Sequence, residues 1–203
     1  AFVFNEKDGM QPLPVPSDAT SSAAMAINDA GMILVSFIRE DLNSGMVVVM
    51  PDGRMVEIPL LEGFPTGGPI ALNNLGHVVG ANVLVIGSEE IVSAFYWSQE
   101  TGTIQLDEAI TNQLPWTIFN PVAINDADEI IVHGFNGNNE VSSFVRPALS
   151  GDVNGDRIVN IIDLLGVVSA WGPCPVSGGC HADFDGGGAV NILDLLTVVA
   201  NWG

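Results

Sequence analysis

The chain has 203 residues, 47% apolar and 14% charged, which supplies enough apolar surface for a sizeable core and is not the composition of a disordered chain. Five Lys and Arg against 24 Asp and Glu give a formal net charge of −19, a surface that repels nucleic acid and anionic membranes and attracts divalent cations. No apolar run reaches the roughly 18 residues that a membrane-spanning helix needs. No signal peptide is visible, and the chain opens inside an apolar stretch at 1–4, so it reads as a fragment or processed product.

Residues 1–147 repeat with a period of roughly 45–50 residues. Each copy begins with a short apolar strand, at 1–4, 47–50 and 94–97. A glycine turn follows (Asp8-Gly9, Asp52-Gly53, Thr101-Gly102), then return strands at 10–13, 55–59 and 104–106. Asp-Gly between apolar runs is a hairpin signal. About twenty residues on, each copy carries a second tight turn: Asn28-Asp29-Ala30-Gly31, Asn73-Asn74-Leu75-Gly76 and Asn125-Asp126-Ala127-Asp128. Asn and Asp suit the turn, and the last position suits a left-handed residue. A fourth copy starts at Ser143-Phe144-Val145 and stops at Pro147. Four short strands per copy predict propeller-blade-like units, about three of them four-stranded. The Ala-Phe openings and Ala-Ile-Asn-Asp turns resemble the His-Ala-Phe extracellular repeats of secreted bacterial proteins, with the opening His absent and Val47-Val48 in the middle copy.

Catalytic groupings are not found: there is no Gly-x-Ser-x-Gly, no phosphate-cradling glycine loop and no His-Glu-x-x-His. His77 and His133 are read as standing at corresponding places in two copies, which favours a structural or surface role. Glu89-Glu90 and Asp107-Glu108 are read as solvated turns rather than an acid–base pair, because neighbours on a strand face opposite ways. Trp97, Trp116 and Phe119 suit core packing or, alternatively, a carbohydrate groove.

After a boundary at 148–151 the chain changes character. Residues 152–163 place oxygen-bearing side chains at loop positions 1, 3, 5, 9 and 12: Asp152, Asn154, Asp156, Asn160 and Asp163. With the Ile158 carbonyl at position 7, this is the ligand spacing of a twelve-residue calcium loop. The motif recurs 31 residues later as Asp183, Asp185, the Ala189 carbonyl, Asn191 and Asp194. Position 5 is there Gly187, which has no ligand to offer, and position 6 is Arg157 in one loop and Gly188 in the other. Each loop leads into an apolar run with helical period: Ile158, Ile161, Leu164 or Leu165, Val168 and Trp171, then Ala189, Ile192, Leu195 or Leu196, Val199 and Trp202. These faces are predicted to pack on each other. Between the repeats Cys174 and Cys180 could close a short ring. A disulfide is expected in a secreted setting, and a zinc site is disfavoured because His181 is the only further soft ligand nearby.

Residues 150–203 closely resemble a type I dockerin, with two tandem calcium-loop–helix repeats and no leading helix. The resemblance implies two calcium ions, one per loop, calcium-dependent folding, and docking onto a cohesin-like or other extracellular scaffold protein. It also implies partner recognition at loop positions 10 and 11, here Ile161-Ile162 and Ile192-Leu193. The expected fold is a mainly β repeat domain at 1–147, a linker at 148–151, and a small all-α domain of paired calcium-loop–helix motifs at 152–203. The expected function is that of a non-catalytic docking or anchoring protein, secreted or on a bacterial cell surface. The alternatives are an accessory part of a polysaccharide-degrading enzyme and a self-associating structural component of an extracellular assembly.

Overall fold

The structure, a computed structural model, describes residues 1–109, 117–137, 139–147, 149–156, 158–175 and 180–203. Trp116, Ala148 and Arg157 lie outside these residues, as does the side chain of Glu108. The chain divides into two compact units, Ala1–Arg146 and Pro147–Gly203. No helix among the described residues is long and apolar enough to cross a membrane.

The first unit is built of antiparallel meanders. Strands β1 (Phe2–Asn5) and β2 (Gly9–Pro12) form a hairpin. Strands β3 (Ala19–Ile27), β4 (Ile33–Arg39), β5 (Ser44–Val49) and β6 (Met55–Ile58) form a four-stranded sheet in chain order. Strands β7 (Thr66–Leu72), β8 (Val78–Ile86), β9 (Glu89–Ser98) and β10 (Gly102–Gln105) form a second. A helical turn, α1 (Leu106–Ala109), precedes β11 (Thr117–Ile124), β12 (Ile130–Asn136) and β13 (Asn139–Val145), which make a three-stranded sheet.

The expected propeller is not formed: the described strands make separate open sheets, and none closes. Sheet membership is also two strands out of phase with the sequence repeat. Each four-stranded sheet joins the second hairpin of one copy to the first hairpin of the next. Tight turns link β3 through β6 and β7 through β10, whereas longer connections at 13–18 and 59–65 carry the chain between sheets. Pairing therefore follows the short connections.

Side-chain alternation explains the continuous apolar runs. Leu34, Met46, Val48 and Ile58 of the first four-stranded sheet pack with Val78, Phe95 and Trp97 of the second. Val35, Phe37, Val47 and Val49, on the opposite face, pack with Leu13 and Val3 beside the β1–β2 hairpin. Val79 and Ala94 turn the other way, toward Ile118, Ile130 and Val132. A sheet covered on both faces needs apolar residues at successive positions, and Val47-Val48-Val49 meets that need. Trp97 is thus a core residue, not part of an exposed groove.

The Asn turns stitch successive sheets together. Asn28 Nδ2 donates to Asn73 O at 2.8 Å, and Asn73 Nδ2 donates to Asn125 O at 3.0 Å. Asp29 N donates to Asn74 Oδ1 and Asn74 N to Asp126 Oδ1, at 2.9 and 2.8 Å. Within each turn the Asn Oδ1 accepts from a residue four places on: Met32, His77 and Glu129. Glu129 is therefore the counterpart of His77, while His133 lies inside β12, which corrects the expected equivalence of the two histidines. The turns end at Gly31, Gly76 and Asp128, all with positive φ, and Asp128 is the one that carries a side chain there.

The second unit holds helices α2 (Ile161–Ser169) and α3 (Ile192–Ala200) and a two-stranded ladder of β14 (Gly172–Pro173) with β15 (Ala189–Val190). It is therefore not all-α. Its core is Val159, Val167, Ala182, Val190 and Val198, lined by Leu164 and Leu195. The helix faces also depart from expectation. Ile158, Ile161, Leu165, Val168 and Trp171 are exposed, as are Ile192, Leu196, Val199 and Trp202. The inward stripe runs through Asp163, Leu164 and Val167, and through Asp194, Leu195 and Val198.

Asn73 is 4% exposed, and its side chain also accepts from Leu75 N and donates to Asp128 Oδ1. Asn73→Ala removes the partner of several part-buried polar groups and is expected to destabilise the first unit by about 1–3 kcal/mol, read by denaturant unfolding.

Candidate metal centre

Each helix of the second unit begins with the same local chemistry. Asn160 and Asn191 are extended N-caps whose Oδ1 accepts from Ile162 N and Leu193 N, at 2.7 and 2.9 Å. Asp163 and Asp194, three residues on, accept from the cap residue's own N–H, closing a capping box. The other carboxylate oxygen reaches back to the loop's start. Asp163 Oδ1 accepts from Val153 N at 2.9 Å and Asn154 N at 3.3 Å, and Asp194 Oδ1 accepts from Phe184 N at 2.7 Å. One side chain thus fastens the first and last thirds of each loop to the helix.

Both carboxylates are 0% exposed. Burial pushes their pKa up, but the converging backbone N–H groups outweigh it and hold both below the ordinary carboxylate value. They are ionised groups in the interior, satisfied by main-chain dipoles at a helix N-terminus.

The remaining predicted ligands are placed as follows. In the first loop Asp152 Oδ1 accepts from Gly155 N and Asp156 N, Asn154 Oδ1 accepts from Asp156 N, and Asp156 Oδ1 accepts from Ile158 N. Asn154 Nδ2 donates to Asp156 Oδ2 at 2.9 Å, so an amide bridges toward one carboxylate. In the second loop Asp183 accepts from Gly187 N and Gly188 N, and Asp185 accepts from Gly187 N. Carboxylate oxygens of Asp183, Asp185 and Asp194 lie within 4.8 Å of one another, an all-oxygen cluster suited to a hard divalent cation. Among the described residues, the loop lacking a position-5 side chain gathers three carboxylates. The Ile158 and Ala189 carbonyls accept from Asn160 Nδ2 and Asn191 Nδ2. Asn160 and Asn191 are thus engaged as helix caps, a role that a ligand-spacing pattern does not reveal.

The tips of the loops use glycine where backbone strain requires it. Gly155, Gly186 and Gly188 have φ of 75°, 67° and 80°, a region where other residues are disfavoured. Loop position 4 is glycine in both repeats, a signal that attention to position 6 alone passes over.

Cys174 and Cys180 are joined by a disulfide. Ile161, Ile162, Ile192 and Leu193 are each about half exposed at the helix starts. In the first unit one polar grouping joins His77 Nδ1 to Asp128 Oδ1 at 2.8 Å and to Tyr96 Oη at 3.0 Å. Burial, then the charge of Asp128, pushes Tyr96 up to about 12, so its phenol stays protonated and donates to Asp128 Oδ2 at 3.4 Å. Glu89 and Glu90 open strand β9 and are exposed, and Asp107 accepts from Ile118 N.

Because the folded pKa of Asp163 and Asp194 is depressed, their stabilising contribution is complete above the unfolded carboxylate pKa of about 3.9 and is lost as pH falls through the lower folded value. Asp163→Asn and Asp194→Asn should each cost about 1–3 kcal/mol at pH 7 and flatten this acid-side loss, measured by helix ellipticity in denaturant at several pH values.

Neither a curated protein nor a solved structure matches the chain. Residues 150–201 match the family model of the dockerin type I domain, a non-catalytic, calcium-binding module that docks onto cohesin partners.

Proposed function

We propose that the second unit is a calcium-dependent docking tag on a non-catalytic β-repeat protein working at a bacterial surface or outside the cell. The residues fit calcium: hard carboxylate and carbonyl oxygens at the spacing of two twelve-residue loops, with three carboxylates already gathered in the second. Asp152, Asn154, Asp156, the Ile158 carbonyl and Asp163 would hold one ion, and Asp183, Asp185, the Ala189 carbonyl and Asp194 the other. A bound ion supplies positive charge that offsets the repulsion among these groups. Asp163 and Asp194 tie each loop to its helix, and Asn160 and Asn191 cap that helix. A disulfide suits an oxidising compartment, which supports an extracytoplasmic setting.

One observation carries the docking assignment. Five apolar pairs, each 31 residues apart, remain about half exposed: Ile161 with Ile192, Ile162 with Leu193, Leu165 with Leu196, Val168 with Val199, and Trp171 with Trp202. Exposed apolar surface of this extent marks an interaction site, and its duplication gives two like faces. Residues at loop positions 10 and 11 sit within both.

Calorimetric titration of calcium into chelator-treated protein is expected to show two binding events accompanied by a gain of helix. Absence of binding would remove the proposal. For docking, an immobilised cohesin module is expected to retain the chain in calcium and release it in chelator. Ile162→Ala combined with Leu193→Ala should weaken that retention by about 2 kcal/mol or more while leaving the calcium isotherm unchanged. Equal retention of the variant would place the docking face elsewhere.

A further inference from the structure

The two loops are not equally supported. The second has three consecutive glycines, Gly186, Gly187 and Gly188, where the first has Gly155 and Asp156 before position 6. A glycine-rich loop gives up more backbone entropy on ordering, and Gly187 brings no side chain to position 5. What surrounds the second loop offsets both deficits. Asp183 N, at loop position 1, donates to Cys180 O at 3.0 Å, and Cys174 N donates to the Gly188 carbonyl, at position 6, at 3.0 Å. These two contact points are joined covalently by the Cys174–Cys180 bridge. The ladder of β14 with β15 extends the same grip to Ala189 and Val190. The Cys174 sulfur, which carries no hydrogen in the bridge, lies 3.3 Å from Asp183 Oδ2.

The first loop has the non-covalent half of this arrangement. Asp152 N donates to Leu149 O at 3.0 Å, the counterpart of the bond to Cys180, and Gly203 N donates to Val159 O at 3.1 Å, the counterpart of the Gly172–Val190 pairing. No covalent link joins its two ends.

We propose that the Cys174–Cys180 disulfide is a positioning element for the second calcium loop. It holds positions 1 and 6 at a fixed separation, and it makes that site's affinity depend on redox state while the first site's does not. The proposal rests on the calcium reading given above. Its physical basis is pre-organisation: groups that orient ligating residues without touching the ion typically alter metal affinity about 10- to 100-fold.

The experiment compares the full chain with its Cys174→Ser/Cys180→Ser variant. Calcium is titrated into each after chelation, and the amide resonances of Gly155 and Gly186 report the two loops separately. The expected result is a fall in second-loop affinity of about 10- to 100-fold, with first-loop affinity changed less than about twofold. An unchanged second loop, or equal losses at both loops, overturns the assignment of the bridge while leaving calcium binding intact. Failure of both loops to bind in the native chain overturns the calcium reading itself and this proposal with it. Should the double variant not fold, the native chain carries the reciprocal measurement: calcium is expected to shift the Cys174–Cys180 thiol–disulfide equilibrium toward the disulfide by the same factor of about 10 to 100, and an equilibrium that is the same in calcium and in chelator overturns the assignment.

Discussion

The second unit depends on a buried aspartate placed three residues after a helix cap. Asp163 and Asp194 accept main-chain N–H groups from the start of the loop and from the cap residue at once. That bond pattern fixes how each helix is rotated. With residue 163 inward, Val167 follows one turn later and Leu164 flanks it, and the same holds for 194, 198 and 195. Everything else apolar on these helices is then obliged to face out. The exposed surface that suits a partner is a geometric consequence of where the carboxylate is anchored. Loop and exposed apolar face are therefore coupled: whatever orders the carboxylate also orients Ile161, Ile162, Ile192 and Leu193, the residues proposed to dock.

The first unit uses a related device for another end. Asn28 and Asn73 are partly or fully withdrawn from solvent while Asn125 is exposed, and each is held by its own turn. Asn28 and Asn73 also bond to the next turn. A short amide side chain has enough donors and acceptors to satisfy a tight turn and still reach a neighbour. The repeats are thereby locked in register while valines fill the space between sheets. In both units a short polar side chain sets the phase, and the apolar residues adapt to it.

Much of this was legible in the sequence, for identifiable reasons. The duplication at 31 residues, the loop spacing and the Asn turns depend on local chemistry, which a single sequence displays. The inward face of α2 did not. Ile161-Ile162-Asp163-Leu164-Leu165 is apolar on nearly every side, so periodicity offers more than one stripe, and the deciding residue is the polar Asp163. The role of Asn160 and Asn191 was hidden because a cap and a metal ligand make the same demand on residue type. The sheet phase does not show in the repeat because a repeat has no fixed starting point, and only connection length shows which hairpins share a sheet. The all-α expectation missed a ladder of two residues per strand, Gly172–Pro173 with Ala189–Val190, too short and too proline-bound to signal a strand.

The most direct test of this coupling is amide hydrogen exchange at Val153 and Phe184, one N–H group in each loop that binds the buried carboxylate at the loop start. Measured in calcium and then in chelator, both amides should be strongly protected with the ion and should lose that protection together with the amides of α2 and α3 when it is removed. Protection that is the same in calcium and in chelator would contradict the account, because the loops would then be fastened to their helices by the protein alone.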